Sequence, residues 1–386
     1  MNKINPAITL RIDHIFHMTD DTGMFQHSIY GVPNLSKGYT SDDNARALIM
    51  AVKLLEKYHI KRVESLIYRY VSFLCNAQNE NGTFRNFMNY NREFITEAGS
   101  EDCFGRCVWA LCFAYASSVT PQNVKKAIND MIQKALPNCL DLGSPRAKAY
   151  VIIGVSLLPE RKNNDIVSIL AGSLVDQFDQ YSDPVWQWFE NSMTYGNAVL
   201  PWAMFCASRV TDVNRFRQIG YESLQFLENK TFNRGHFRPI GCNGWLQKNG
   251  KRAEYDEQPV EACETALAFL EAYNVTGNKT YLERAKTCFS WYYGNNSKNL
   301  SMIDAETGGC YDGIESDGLN LNQGAESVIS FWIAYLSIHP NQINVENEKT
   351  ATSPGKKVLI SENLMKGTHL KLETGQAIVN PQKYNS

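Results

Sequence analysis

Carboxylic acids recur in this chain in short clusters just ahead of helical stretches, in company with aromatic and amide side chains. "YTSDDNARAL" carries Asp42, Asp43 and Asn44, and "TEAGSEDCFGRCVWAL" carries Glu97, Glu101 and Asp102. "VWQWFENSMTYGNAVLPWA" brings Trp186, Trp188, Glu190, Asn191 and Tyr195. "EYDEQPVEACETAL" brings Tyr255, Asp256, Glu257, Gln258 and Glu261; "YDGIESDGLNLNQGAESVISFW" brings Tyr311, Asp312, Glu315, Asp317 and Glu326. A helix start accounts for one or two acids, through capping and the helix dipole. It does not account for so many, nor for the Trp and Tyr among them. A ring of carboxylates, amides and aromatic faces suits a sugar, whose hydroxyls take bidentate hydrogen bonds and whose C–H faces stack on indole and phenol. Cleaving a glycosidic bond needs two carboxyl groups, one protonated for the leaving oxygen and one to activate water or attack the anomeric carbon. Acids crowded in an apolar cup push one pKa upward and so supply the proton donor.

On this reading the catalytic carboxyls are an acid from 42–43 or 101–102 facing one from 256–257, that is Asp43, Asp102 and Glu257. Asp42–Asp43 reads as a cap and a site residue side by side. The substrate contacts are Asp42, Asn44, Glu101, Arg146, Trp186, Trp188, Glu190, Tyr195, His236, Asp256, Asp312 and Glu326. Of the two tryptophans flanking Gln187, one stacks on substrate while the other packs into the core. Glu261, a turn further in, reads as a buried partner of an arginine. Arg46, Arg106 and Arg146 each follow a helix start and read as counter-ions that lower the pKa of nearby acids. His236 lies with Arg238, Trp245 and Lys248 in the longest irregular stretch, either a lid or clamp or a surface hairpin.

These residues need elements that aim them at one place. Apolar residues recur at i, i+3, i+4 and i+7 throughout, predicting helices near 42–58, 60–77, 102–117, 121–135, 145–157, 163–181, 193–209, 212–228, 258–274, 278–294 and 323–338. A short one over 8–17 makes the twelfth. One type is apolar nearly all round ("GNAVLPWAMFCA", "AESVISFWIAYL"); the other has a charged face ("NVKKAINDMIQKAL"). Helices apolar all round are buried and those with a polar face lie outside. Their strict alternation predicts an all-α fold in which six hairpins close into an (α/α)6 toroid, residues 1–339. An open α-solenoid is the alternative, but its repeats are shorter and lack long functional loops. Residues 340–386 read as a peripheral tail, with "KKVLI" and "THLKL" as short outer strands.

A formal net charge of −2, without basic clusters, excludes an electrostatic footprint for nucleic acid. No apolar run reaches the roughly 20 residues that cross a bilayer, so no membrane is expected. The N-terminal stretch lacks a continuous apolar run, so no signal peptide is expected in it. Most of the ten cysteines sit in apolar helical stretches, where a thiol behaves as a small hydrophobe. They predict reduced thiols and a cytoplasmic protein, or a periplasmic one if a leader has been trimmed. No CxxC pair or Cys–His set predicts a metal, and no cofactor is expected.

The segments "HMTDDTGMFQHSIYGVPNLSKGYTSDDNARAL", "SEDCFGRCVWAL", "SPRAKAYVIIG", "ENSMTYGNAVLPWA", "YDEQPVEACETALAFL" and "LNQGAESVISFW" together resemble a bacterial family of six-hairpin glycosidase-like proteins. Members stand alone or are joined to glycosyltransferases, among mannoside-processing genes. Over residues 8 to 338 the resemblance implies an (α/α)6 toroid, a mannoside as substrate and a functional link to a glycosyltransferase. It carries over no catalytic pair. A glycoside hydrolase acting on an oligosaccharide is therefore the expected function. The alternatives are a sugar epimerase of the acylglucosamine type, which would need histidine bases, and a glycan-binding scaffold without catalysis.

Overall fold

In the computed structural model, which describes residues 9–159, 163–233, 235–339 and 358–359, helices dominate. They are α1 (Asp13–His17), α2 (Ser41–Tyr58), α3 (Lys61–Ala77), α4 (Glu101–Ala116), α5 (Gln122–Ala135) and α6 (Pro145–Val155). The chain continues with α7 (Asn164–Tyr181), α8 (Val199–Thr211), α9 (Asn214–Thr231), α10 (Pro259–Thr276), α11 (Lys279–Ser290) and α12 (Ala325–Ile338).

Burial sorts these as their composition dictates. In α4 every residue from Asp102 to Cys112 is buried, whereas α5 buries only Val124, Ile128, Met131, Ile132 and Ala135, a single stripe at helical spacing. The even-numbered helices form the inner ring: each packs on the next, and α12 packs back on α2 to close it. The longer odd-numbered helices pack outside their hairpin partners. The fold is an (α/α)6 toroid. Its inner helices approach closely where side chains are absent. A Cβ on Gly154 of α6 would stand 2.6 Å from Trp109 Cα on α4, and one on Gly105 of α4 would stand 2.8 Å from the Ala147 oxygen.

Two expectations are corrected. The helix predicted from 193 starts at Val199, because Ser192–Met193 pairs as a short strand with Leu246–Gln247 and Gly196 turns the chain with φ 54°. The expected helix over 8–17 is a single short one, Asp13–His17, with Thr9–Leu10 instead paired antiparallel to Val358–Leu359. That pairing falls within "KKVLI"; "THLKL" and the rest of the tail lie outside the described residues. None of the ten cysteines is in a disulfide. Among the described residues no helix is long and apolar enough to cross a membrane.

Candidate active site

Thr40, Ser100 and Ser144 precede α2, α4 and α6, and each side chain accepts a backbone N–H from the first turn. The caps are thus hydroxyls, which leaves the acids just inside these helices for other partners. The starts of α4, α10 and α12 and the loop before α8 enclose a hollow of about 330 Å³, lined by Ser100, Asp102, Arg106, Tyr195, Gly196, Gln258, Val260 and Glu326.

Two carboxylates face this hollow. Asp102 accepts hydrogen bonds from the Ser144 hydroxyl through Oδ1 and the Tyr195 hydroxyl through Oδ2, both at 2.6 Å. It therefore ties α4 to the cap of α6 and to the loop before α8. Burial, then the bond to Asp102, pushes the Tyr195 hydroxyl up to about 12, so it remains a donor. Glu326, 41% exposed, accepts from Arg46 Nη1 at 2.7 Å through Oε2.

Under the hollow lies a layer of ion pairs. Arg46 Nη2 bonds Asp43 Oδ1 at 2.8 Å, and Asp42 Oδ1 stands 3.6 Å from Arg46 Nε. Arg106 Nη1 bonds Asp42 Oδ2 at 2.7 Å and lays its guanidinium over the Tyr150 ring at 4.9 Å. Tyr150 donates in turn to Glu264 at 2.6 Å. Arg146 bonds Glu190 at 2.9 Å, Thr194 Oγ1 at 2.8 Å and the Tyr195 carbonyl at 2.5 Å. Carboxylates outnumber guanidiniums here, and burial decides which of them hold protons. Burial pushes Asp43 up to about 6; Arg46 opposes the shift, but that guanidinium is shared with Asp42 and Glu326. Burial, reinforced by Glu264 one turn along, pushes Glu261 up to about 7, and burial raises Glu264 as well.

The predicted site residues divide on this geometry. Asp102, Tyr195 and Glu326 reach the hollow; Asp42, Glu190 and Arg146 support it through the ion pairs above. Asp43, expected to be catalytic, lies beneath the hollow with Arg46 on one oxygen and Thr40 Oγ1 on the other. It is not the cap, since its own backbone N–H is capped by Thr40.

Glu257 is a clear correction. Its side chain is 0% exposed and sits against Trp291 Nε1 at 2.9 Å and Arg238 Nε at 3.2 Å, while its backbone pairs with Ile314. Strand-like alternation across "YDEQP" turns this acid away from the hollow and leaves Gln258 facing it. Trp186 and Trp188 are both buried, edge-on and tilted against Phe226, and Trp186 Nε1 donates to the Glu190 carbonyl. Neither offers a face to a sugar. Asn44 is buried and pins the Met24 backbone. Glu101 accepts the Gly143 and Ser144 N–H groups, fastening the loop ahead of α6. Asp312 accepts from Gly324 N and Ser327 Oγ, both at 2.7 Å, at the start of α12. Asp256 turns the chain with φ 59° ahead of α10, and His236 sits in a two-residue strand paired with Phe232–Asn233. Neither lines the hollow.

Glu264 and Tyr150 were not foreseen. Their signal is an acid on a helix that is otherwise apolar all round, and a tyrosine on an inner helix, each needing a polar partner inside.

No protein-family model matches the chain, and no curated protein matches it in sequence. Solved structures do resemble it. A sugar epimerase from a ruminal bacterium is 14% identical, with TM-score 0.66 over 85% of this chain and 95% of that one. Cellobiose 2-epimerase from Bacillus thermoamylovorans B4167 is 12% identical, with TM-score 0.67 over 85% and 95%. A GH76 alpha-mannanase from Bacteroides thetaiotaomicron is 11% identical, with TM-score 0.55 over 79% and 86%. The likeness is one of fold.

Proposed function

We propose that the protein is a carbohydrate-active enzyme that hydrolyses a glycosidic bond of an uncharged oligosaccharide, a mannoside first among candidates, using Asp102 and Glu326. The observation that carries this reading is that two carboxylates, from the starts of α4 and α12, face one hollow with Tyr195, Gln258 and Arg106 beside them. The volume falls near the lower end of the roughly 300–1,000 Å³ usual for small-molecule sites, suiting a short saccharide end. The three arginines nearby are already paired with acids, which favours a neutral sugar over a phosphorylated or uronic one. Asp102, held by the Ser144 and Tyr195 hydroxyls, serves as base or nucleophile. Glu326 supplies the second carboxyl that glycosidic cleavage needs. The mannoside rests on the sequence resemblance and on the GH76 likeness.

Epimerisation is the second reading, favoured by the sugar epimerase and cellobiose 2-epimerase among the structural neighbours. Against it, none of the six histidines among the described residues lines the hollow. The deciding experiment incubates the protein with manno- and gluco-oligosaccharides in deuterated water and resolves products by mass. Cleavage is expected, falling about 10²- to 10⁴-fold in Asp102→Asn and Glu326→Gln with calorimetric binding retained. Binding without cleavage in any sugar overturns the hydrolase in favour of a glycan-binding module; deuterium on a sugar carbon without cleavage overturns it in favour of an epimerase.

A further inference from the structure

The wall of the hollow that carries Tyr195 belongs to no regular element. Ser192–Met193 ends one short strand and α8 begins at Val199, so residues 194–197 must be held from outside. The holding converges on one peptide unit. The Tyr195 carbonyl accepts from Arg146 Nε on α6, and the Gly196 N–H of the same planar unit donates to Glu261 Oε1 on α10, each at 2.5 Å. Glu261 Oε2 also accepts from Asn197 Nδ2 at 3.3 Å. A cation therefore grips one edge of this plane and an acid the other, which fixes the direction in which Tyr195 leaves the backbone. Gly196 permits the turn, because its φ of 54° is one that side chains rarely adopt. Glu261 is 5% exposed and does not line the hollow, so it reaches the site only through this turn.

We propose that Glu261 is a positioning residue: by clamping the 195–196 peptide against Arg146 it sets the Tyr195 hydroxyl on Asp102. The proposal rests on the assignment of Asp102 to the chemistry.

Four proteins test it on a cleaved oligosaccharide: Glu261→Ala, Glu261→Gln, Tyr195→Phe and the double variant Glu261→Ala with Tyr195→Phe. Loss of one hydrogen bond to a charged group corresponds to roughly 10- to 100-fold in kcat. Glu261→Ala and Tyr195→Phe should each lose that much, with KM moving less. The double variant should be no slower than the worse single, because both act through one contact. Glu261→Gln, whose amide oxygen still accepts the Gly196 N–H, should recover part of the rate. Multiplicative losses, or unchanged kcat in Glu261→Ala, overturn the proposal. Should Glu261→Ala not fold, the cycle is run with Glu261→Met, which keeps the volume and removes the acceptor. Hydrogen exchange of the peptide spanning 190–199 needs no turnover and so separates this proposal from the hydrolase assignment. It should quicken in Glu261→Ala, less in Glu261→Gln, and not in Tyr195→Phe; unchanged exchange in Glu261→Ala overturns the clamp.

Discussion

Arg46 of α2 and Glu326 of α12, 280 positions apart, meet through a 2.7 Å ion pair where the inner ring closes. The same guanidinium bonds Asp43 within its own helix. One side chain therefore joins the seam of the toroid, the buried acid layer and a carboxylate of the hollow.

Arg46→Met should be severely destabilising. It strands Asp43 and removes the cation paired with Glu326, and removing one partner of a buried ion pair costs about 3–5 kcal/mol. Urea unfolding at neutral pH measures it. A loss under 1 kcal/mol would show that the seam is held by apolar packing alone.

Glu257→Gln separates structure from chemistry. Its partners are Trp291 and Arg238, so the variant should lose about 1–3 kcal/mol from the broken charge-assisted bond while turnover stays near that of the unaltered protein. Calorimetric unfolding and an oligosaccharide assay check the two halves. A collapse of kcat in a well-folded variant would return Glu257 to the active centre.

Stability should fall as pH rises from about 4.5 to 7 through Glu261. Burial raises this carboxyl from 4.5 to about 7, so over that interval the folded chain binds more protons than the unfolded one. Its contribution is complete below the unfolded value and is lost as pH passes the folded value. At 1.36 kcal/mol per pKa unit the effect is at most about 3 kcal/mol. Asp43, raised to about 6, acts in the same sense. Glu261→Gln should flatten the decline, read as Tm against pH; equal slopes in the two proteins would be inconsistent with a protonated Glu261.

Gly154→Val tests how closely α4 and α6 pack. Its Cβ would meet Trp109 Cα at 2.6 Å, and overpacking of this kind costs about 1–3 kcal/mol. Guanidinium unfolding should show the loss, with Gly172→Ala, where a Cβ meets nothing within 4 Å, as the control.

The amphipathic and all-round apolar patterns were enough to read the alternation of α4 with α5 and of α10 with α11, and hence the closed ring. Apolar periodicity answers to water, which every helix meets on its own, so it is written locally. Acids at helix starts were equally legible as a group, and Asp102, Tyr195 and Glu326 do meet at the common rim. Which acid faces the hollow was not legible. Asp42, Asp43, Glu101 and Asp102 look alike in sequence, yet Thr40 and Ser100 take the capping work, Glu101 fastens the α6 loop and Asp43 sinks onto Arg46. Glu257 and Gln258 are adjacent, and only the pairing of Glu257 with Ile314 decides which of them turns inward. Composition and periodicity determined that inner helices would bring their acid-rich starts together. The tertiary structure alone decided each acid's role, because a carboxylate's direction and its proton depend on which hydroxyl, guanidinium or second acid arrives from elsewhere in the chain.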